Sequence, residues 1–257
     1  MTVSQPQPHP QPSLALVTGG GSGIGSGIAH ALARTGVTPV LVGRRAEALA
    51  QTQDQIRQLG LDAHSVPWDI GNGDSAGQLV QHIESTLGTV EVLVHAAGNQ
   101  HRTPALDFPM AKWDAIQGLH LRAAFCLSQA VGRSLVAAGR PGSLIFIGSM
   151  TSERLGLPDI VAYAAAKSGL LGLMRTLAVE WAPHRIRSNA ILVGFVETEL
   201  THDVDQLPAR RALVSRVPLG TTGSPQDIGN AAAFLASTSA SYVTGSCLTV
   251  DGGWSVA

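Results

Sequence analysis

The chain has 257 residues and a mass of 26.6 kDa, with 44% hydrophobic residues, 14% charged residues and 29 glycines. That composition can bury a sizeable core and excludes a mostly unfolded protein, and one large α/β unit accommodates the length. Seventeen basic against eighteen acidic residues leave a net charge of −1. This is too little to hold phosphate backbones or anionic lipid, so neither nucleic acid nor a membrane is an expected partner.

Residues 1–13 alternate proline and glutamine around Pro6, Pro8, Pro10 and Pro12, a composition that favours solvated polyproline conformations and predicts a disordered tail. The N-terminus lacks the basic and apolar regions of a signal peptide, and no run of about 18 apolar residues follows. The two cysteines, Cys126 and Cys247, cannot make a multi-bridge framework, and their apolar contexts predict buried free thiols. A cytoplasmic protein is expected.

From residue 14 to 257 short apolar runs alternate with longer amphipathic ones, the pattern of repeated βαβ units in one domain around a parallel sheet. The predicted strands are Leu14 to Thr18, Thr38 to Val42, Ala63 to Pro67, Val90 to His95, Ser143 to Ile147, Arg187 to Leu192 and Cys247 to Val250. Helical patterns fall near 24–35, 45–59, 73–87, 111–138, 162–182 and 225–236.

The first strand runs into Gly19, Gly20, Gly21, Ser22, Gly23, Ile24 and Gly25. A strand, a glycine turn and a helix start are the parts of a pyrophosphate site, because backbone must approach the ligand closely and helix N–H groups must face its charge. The spacing is T-G-x-x-x-G-x-G, not G-x-G-x-x-G. The second strand ends in Gly43, Arg44 and Arg45, where an NAD site usually offers a carboxylate to the ribose. A guanidinium there suits a 2′-phosphate and favours NADP, with NAD possible; the alternative is a solvated arginine pair at a helix start. Asp69, past the third strand, either meets an adenine edge or caps the next helix.

Beyond the fourth strand lie His101 and Arg102, which either meet a substrate carboxylate and hydroxyls or face solvent. Ser149 follows the fifth strand, where a hydroxyl faces the crevice at the strand ends. Tyr163 and Lys167 are four apart in a helical pattern, so both lie on one face. A nearby ammonium favours a phenolate and makes tyrosine usable as an acid or base. The segment near 196–219 breaks the alternation and reads either as a substrate lid or as a surface helix pair. No metal motif or hydrolase elbow is present: there is no H-E-x-x-H, the cysteines are far apart, and Ser149 has no G-x-S-x-G context.

The glycine turn, the strand-end Ser149 and the helical Tyr163-x-x-x-Lys167, together with Asn189, Gly194 to Thr198 and the terminal Val250 to Trp254, resemble the short-chain dehydrogenase/reductase family over residues 14 to 257. The resemblance implies a single Rossmann-type doubly wound parallel sheet of about seven strands flanked by helices. It implies reversible hydride transfer with Tyr163 as acid/base, Ser149 stabilising the substrate oxygen and Lys167 lowering the tyrosine pKa while bonding the nicotinamide ribose. Gly19, Gly21, Ser22, Gly23, Ile24, Gly25, Arg44, Arg45, Asp69, Ile70, Ala97, Gly98, Tyr163, Lys167, Val196 and Thr198 fall at its cofactor-lining positions. A homotetramer is expected by the same likeness, with the helices around 111–138 and 162–182 forming one contact.

Three departures stand out. His95, Ala96, Ala97 and Gly98 replace the family's N-N-A-G, Val193 replaces the proline before Gly194, and His120 takes the place of the catalytic asparagine. An imidazole titrating near ~6.5 could serve a proton relay, block its water, or pack as a neutral core residue. The stretches 98–113 and 149–154 look like the gluconate 5-dehydrogenase branch, which implies a sugar-acid alcohol or ketone as substrate. The alternatives are a 3-oxoacyl-carrier-protein or broad carbonyl reductase, and a cofactor-binding protein without turnover.

Overall fold

The computed structural model describes residues 13–71, 75–198, 212 and 214–257. The expected tail at 1–12 and most of the segment near 196–219 lie outside the described residues. Strands β1 (Leu14–Thr18), β2 (Thr38–Gly43), β3 (His64–Pro67), β4 (Val90–His95), β5 (Gly142–Ile147), β6 (Ile186–Val193) and β7 (Cys247–Val250) form one sheet in the order β3-β2-β1-β4-β5-β6-β7. Every pairing is parallel.

Parallel strands buried on both faces read as continuous apolar runs, and alternate residues feed opposite layers. Leu16, Leu93, Leu144, Phe146 and Leu192 enter one core. Val17, Val94, Ile145, Ile147 and Ile191 enter the other. The first core lies under α3 (Ala76–Leu87), α5 (Ala123–Ala138) and α6 (Val161–Glu180). The second is covered by α1 (Gly23–Arg34) and α7 (Pro225–Ala236). Helix α2 (Ala46–Gln58) packs Leu49 and Ile56 against Leu41 of β2.

The chain reverses its direction of winding at β1, whose neighbours are β2 and β4, and Thr18 pairs with His95 across that seam. Doubly wound sheets open a crevice at the carboxyl ends of such strands. One prediction needs correction: the helix expected over 111–138 is interrupted. Helix α4 (Met110–Gln117) gives way to a π turn over Gly118–Arg122 before α5 begins. Single π turns cluster at functional sites because they release main-chain carbonyls from the regular ladder. Both cysteines are free but half-buried, not fully buried as expected. Among the described residues no helix is long and apolar enough to cross a membrane.

Candidate active site

The glycine turn closes the crevice at the end of β1. Gly19 sits at φ +71°, and a Cβ there would lie 2.9 Å from the Ala97 Cα, so the turn presses against the loop after β4. A Cβ on Gly25 would come within 2.1 Å of the Gly19 carbonyl oxygen, which sets the first turn of α1 directly on the loop. Ser22 precedes α1 without a side-chain cap, and no acid stands in its first turn. The helix therefore offers free N–H groups and a positive dipole end at the seam, a fit for a pyrophosphate.

Arg45 donates from Nη2 to Ser22 Oγ at 2.9 Å, tying the end of β2 to the glycine turn, and Arg44 beside it is exposed. Asp69 is exposed and accepts the Gly71 N–H at 2.9 Å, so its carboxylate stabilises its own turn. Ile24 and Ile70 contribute to the two cores. Val196 is buried and bridges to Gly223, and the Thr198 side chain lies over Gly23. These two residues bring the strand leaving β6 to the start of α1.

Ser149 caps a short 3-10 turn, Met150–Ser152. Its Oγ accepts from the Thr151 N–H at 3.2 Å and the Thr151 hydroxyl at 3.0 Å. With both lone pairs engaged, its proton is directed to the Tyr163 phenol, where it favours the phenolate. Burial outweighs that bond and holds the Tyr163 pKa above its ordinary value. Lys167 is 3% exposed, its Nζ donates to the Ile147 carbonyl at 2.6 Å, and it lies 5.6 Å from the Tyr163 ring centroid. Burial lowers its pKa to about 7. The expected pair is therefore assembled on one face of α6, but the ammonium addresses a carbonyl. The downward push on the phenol comes from Ser149 instead.

His120 lies in the π turn and is fully buried. Its ring meets Tyr163 edge to face at 5.4 Å, and its Nε2 lies 2.9 Å from the Asn99 carbonyl and 3.1 Å from the Asn99 N–H. Gly98 packs flat against it: a Cβ there would be 2.7 Å from Cε1. Burial, and then the Lys167 charge, lower the His120 pKa to about 2. Of the readings the sequence leaves open for His120, this burial supports the neutral, core-packed ring. His95, not marked as a site residue from sequence, is also fully buried, with its pKa lowered to about 3 by burial and then by Lys167. The available signal was the replacement of the family's first loop asparagine by His95 at the end of β4.

His101 and Arg102 lie on the loop leaving β4. His101 Nε2 is 3.1 Å from the Thr103 hydroxyl and its ring meets Phe108 edge to face, while Arg102 is exposed. The Thr103 N–H donates to the carbonyl of Asp159, a non-glycine residue at φ +66°, and so clips this loop to the one leading into α6. No group of His, Cys, Asp or Glu among the described residues is arranged to hold a metal.

A seven-stranded sheet of this order with a serine, tyrosine and lysine at its carboxyl edge defines a class of nucleotide-dependent enzyme. The chain belongs to the short-chain dehydrogenase/reductase family, whose members are NAD(P)-dependent oxidoreductases acting on CH–OH groups. The family model described as "Enoyl-(Acyl carrier protein) reductase" matches residues 19–255. The 2-dehydro-3-deoxy-D-gluconate 5-dehydrogenase of Escherichia coli (strain K12) is 35% identical over 229 residues, 89% of each chain. Gluconate 5-dehydrogenase of Gluconobacter oxydans (strain 621H) is 36% identical over 233 residues, again 89% of each. Among solved structures, a gluconate 5-dehydrogenase from Burkholderia cenocepacia J2315 in complex with NADP and tartrate is 33% identical, covers 96% of both chains and superposes with a TM-score of 0.90.

Proposed function

We propose that this enzyme interconverts a secondary alcohol and a ketone on a sugar acid of the gluconate type, with NADP(H) as the preferred coenzyme. The observation that carries the reading is the chain of hydroxyls from Thr151 through Ser149 to Tyr163, with Lys167 buried behind the phenol. The bound nicotinamide would supply or accept the hydride. In the reductive direction the Tyr163 phenol gives its proton to the substrate oxygen, and in the oxidative direction it takes that proton back. Ser149 turns its O–H toward the same oxygen and holds it. Lys167, with its pKa near 7, would bond a ribose hydroxyl of the coenzyme, while Ser149 supplies the downward push on the phenol.

Gly19, Gly21, Gly23, Gly25 and the start of α1 would hold the pyrophosphate, with Ala97 and Gly98 on the opposite wall. Val196 and Thr198 would close over the nicotinamide side. Arg44 and Arg45 carry the 2′-phosphate preference, supported by the Arg45–Ser22 bond that already fixes one guanidinium at the turn. His101 and Arg102 would receive the carboxylate. The relatives named for gluconate and its dehydro-deoxy form support this substrate class. Exposed Phe125, Val136 and Val179 on α5 and α6 support a homotetramer built through those helices.

The test is a paired NADP(H) and NAD(H) screen over sugar acids, polyols and oxoacyl thioesters, repeated with Tyr163→Phe. Turnover on gluconate or 5-ketogluconate, reduced about 10²–10⁴-fold in the variant with coenzyme binding intact, is the expected result. Turnover on acyl thioesters alone, or undiminished activity in Tyr163→Phe, overturns it.

A further inference from the structure

His95 and His120 lie where the seam of the sheet meets the π turn, and each leaves one buried ring nitrogen without a protein hydrogen bond: Nε2 of His95 and Nδ1 of His120. Buried polar atoms in native folds are nearly always paired, so two orphans in one place call for an explanation. His95 leads directly into the 96–99 loop, whose Gly98 and Asn99 pack against the His120 ring. The Leu119 and His120 carbonyls of the π turn also lie beside His95, yet neither gives its Nε2 a well-formed bond.

The outer partners constrain where the protons sit. Thr18 Oγ1 accepts the N–H groups of Ala96 and Ala97 at 3.1 and 3.0 Å, which uses both of its lone pairs. Its proton is left for His95 Nδ1, 3.4 Å away. A neutral His95 that accepts at Nδ1 carries its own proton on Nε2, the orphan. At the other end, His120 Nε2 faces both the carbonyl and the N–H of Asn99. One nitrogen donates to the first or accepts from the second, never both.

We propose that the two imidazoles form one polarised unit: Thr18 O–H donates to His95 Nδ1, His95 Nε2–H donates through one bound water to His120 Nδ1, and His120 Nε2–H donates to the Asn99 carbonyl. This arrangement satisfies both orphans with a single link. It makes His95 a positioning residue that selects the tautomer of His120. Through that choice it sets which backbone atom of the loop is gripped and how the ring stands against Tyr163. The effect on turnover rests on the proposed role of Tyr163; the proton positions do not.

Nitrogen NMR of protein carrying isotope-labelled histidine tests the tautomers directly. Both rings are expected to be neutral and protonated at Nε2 at neutral pH. In His95→Leu the His120 proton should move to Nδ1, or exchange between the two nitrogens, and kcat should fall about tenfold with the coenzyme KM unchanged. His95→Gln keeps an acceptor toward Thr18 and a donor toward His120, and should retain the parental tautomer and most of kcat. A parental His120 protonated at Nδ1, or a His120 tautomer indifferent to His95→Leu, overturns the proposal. Should His95→Leu fail to fold, the parent and His95→Gln spectra decide. The spectra require no turnover, so failure of the proton order and failure of the substrate reading are separately visible.

Discussion

Burying two neutral histidines and one lysine beneath a tyrosine carries a cost that depends on pH. The folded-state pKa of His95 is about 3 and that of His120 about 2, each below the ordinary 6.5. The unfolded chain therefore binds these protons first as pH falls. Their contribution is fully present above about 6.5 and is lost as pH drops toward 3, on the order of a few kcal/mol for each ring. Lys167, lowered from 10.5 to about 7, acts with the same sign at higher pH, so stability rises between those two values. Thermal melts from pH 7 down to 4 should show a steep loss in the parent and a shallower one in His120→Asn. Equal slopes would remove the histidine explanation. At this scale the i, i+4 spacing of Tyr163 and Lys167 showed that they share a face, but not where the ammonium points. Its partner, the Ile147 carbonyl, belongs to a strand remote in sequence, and no local pattern encodes that bond.

Among the elements, the ends of β1 and β2 meet through Arg45 and Ser22. A side chain already anchored to the glycine turn loses little freedom on receiving a phosphate, which strengthens a charge-assisted bond there. Arg45→Ala should weaken NADPH binding roughly tenfold or more while NADH binding changes far less, as read by fluorescence titration of both coenzymes. An equal loss for both would reassign the residue to holding the turn. The strands were legible to within a residue or two, from β1 and β4 to β7, because strands of a parallel sheet covered on both faces carry short, largely apolar runs between the longer helical patterns. The π turn was not. Residues 113–120 carry an ordinary helical pattern, and the extra residue is accommodated by His120, Gly98 and the loop after β4, contacts made only once the chain has folded.

For the whole molecule, the sheet order brings the glycine turn, Ser149, Tyr163 and the loop bearing His101 to one edge, leaving the outer faces of α5 and α6 to solvent with Phe125, Val136 and Val179 exposed. Light scattering of the full chain should give four times the mass of one copy, and Phe125→Glu should lower it. A parent that stays monomeric at working concentration removes the tetramer. The fold class and its crevice were readable in advance because alternating βαβ units admit few arrangements. The tail and most of the 196–219 segment lie outside the described residues.

Gly98 and the ring of His120 occupy one shared volume between the loop layer and the helix layer. A methyl at position 98 would need a slimmer neighbour at 120, so the imidazole holds that loop position to glycine. The family's N-N-A-G keeps a glycine at the same place, so an asparagine returned to 120 meets a loop wall that already suits it and gives up only the ring's contact with Gly98.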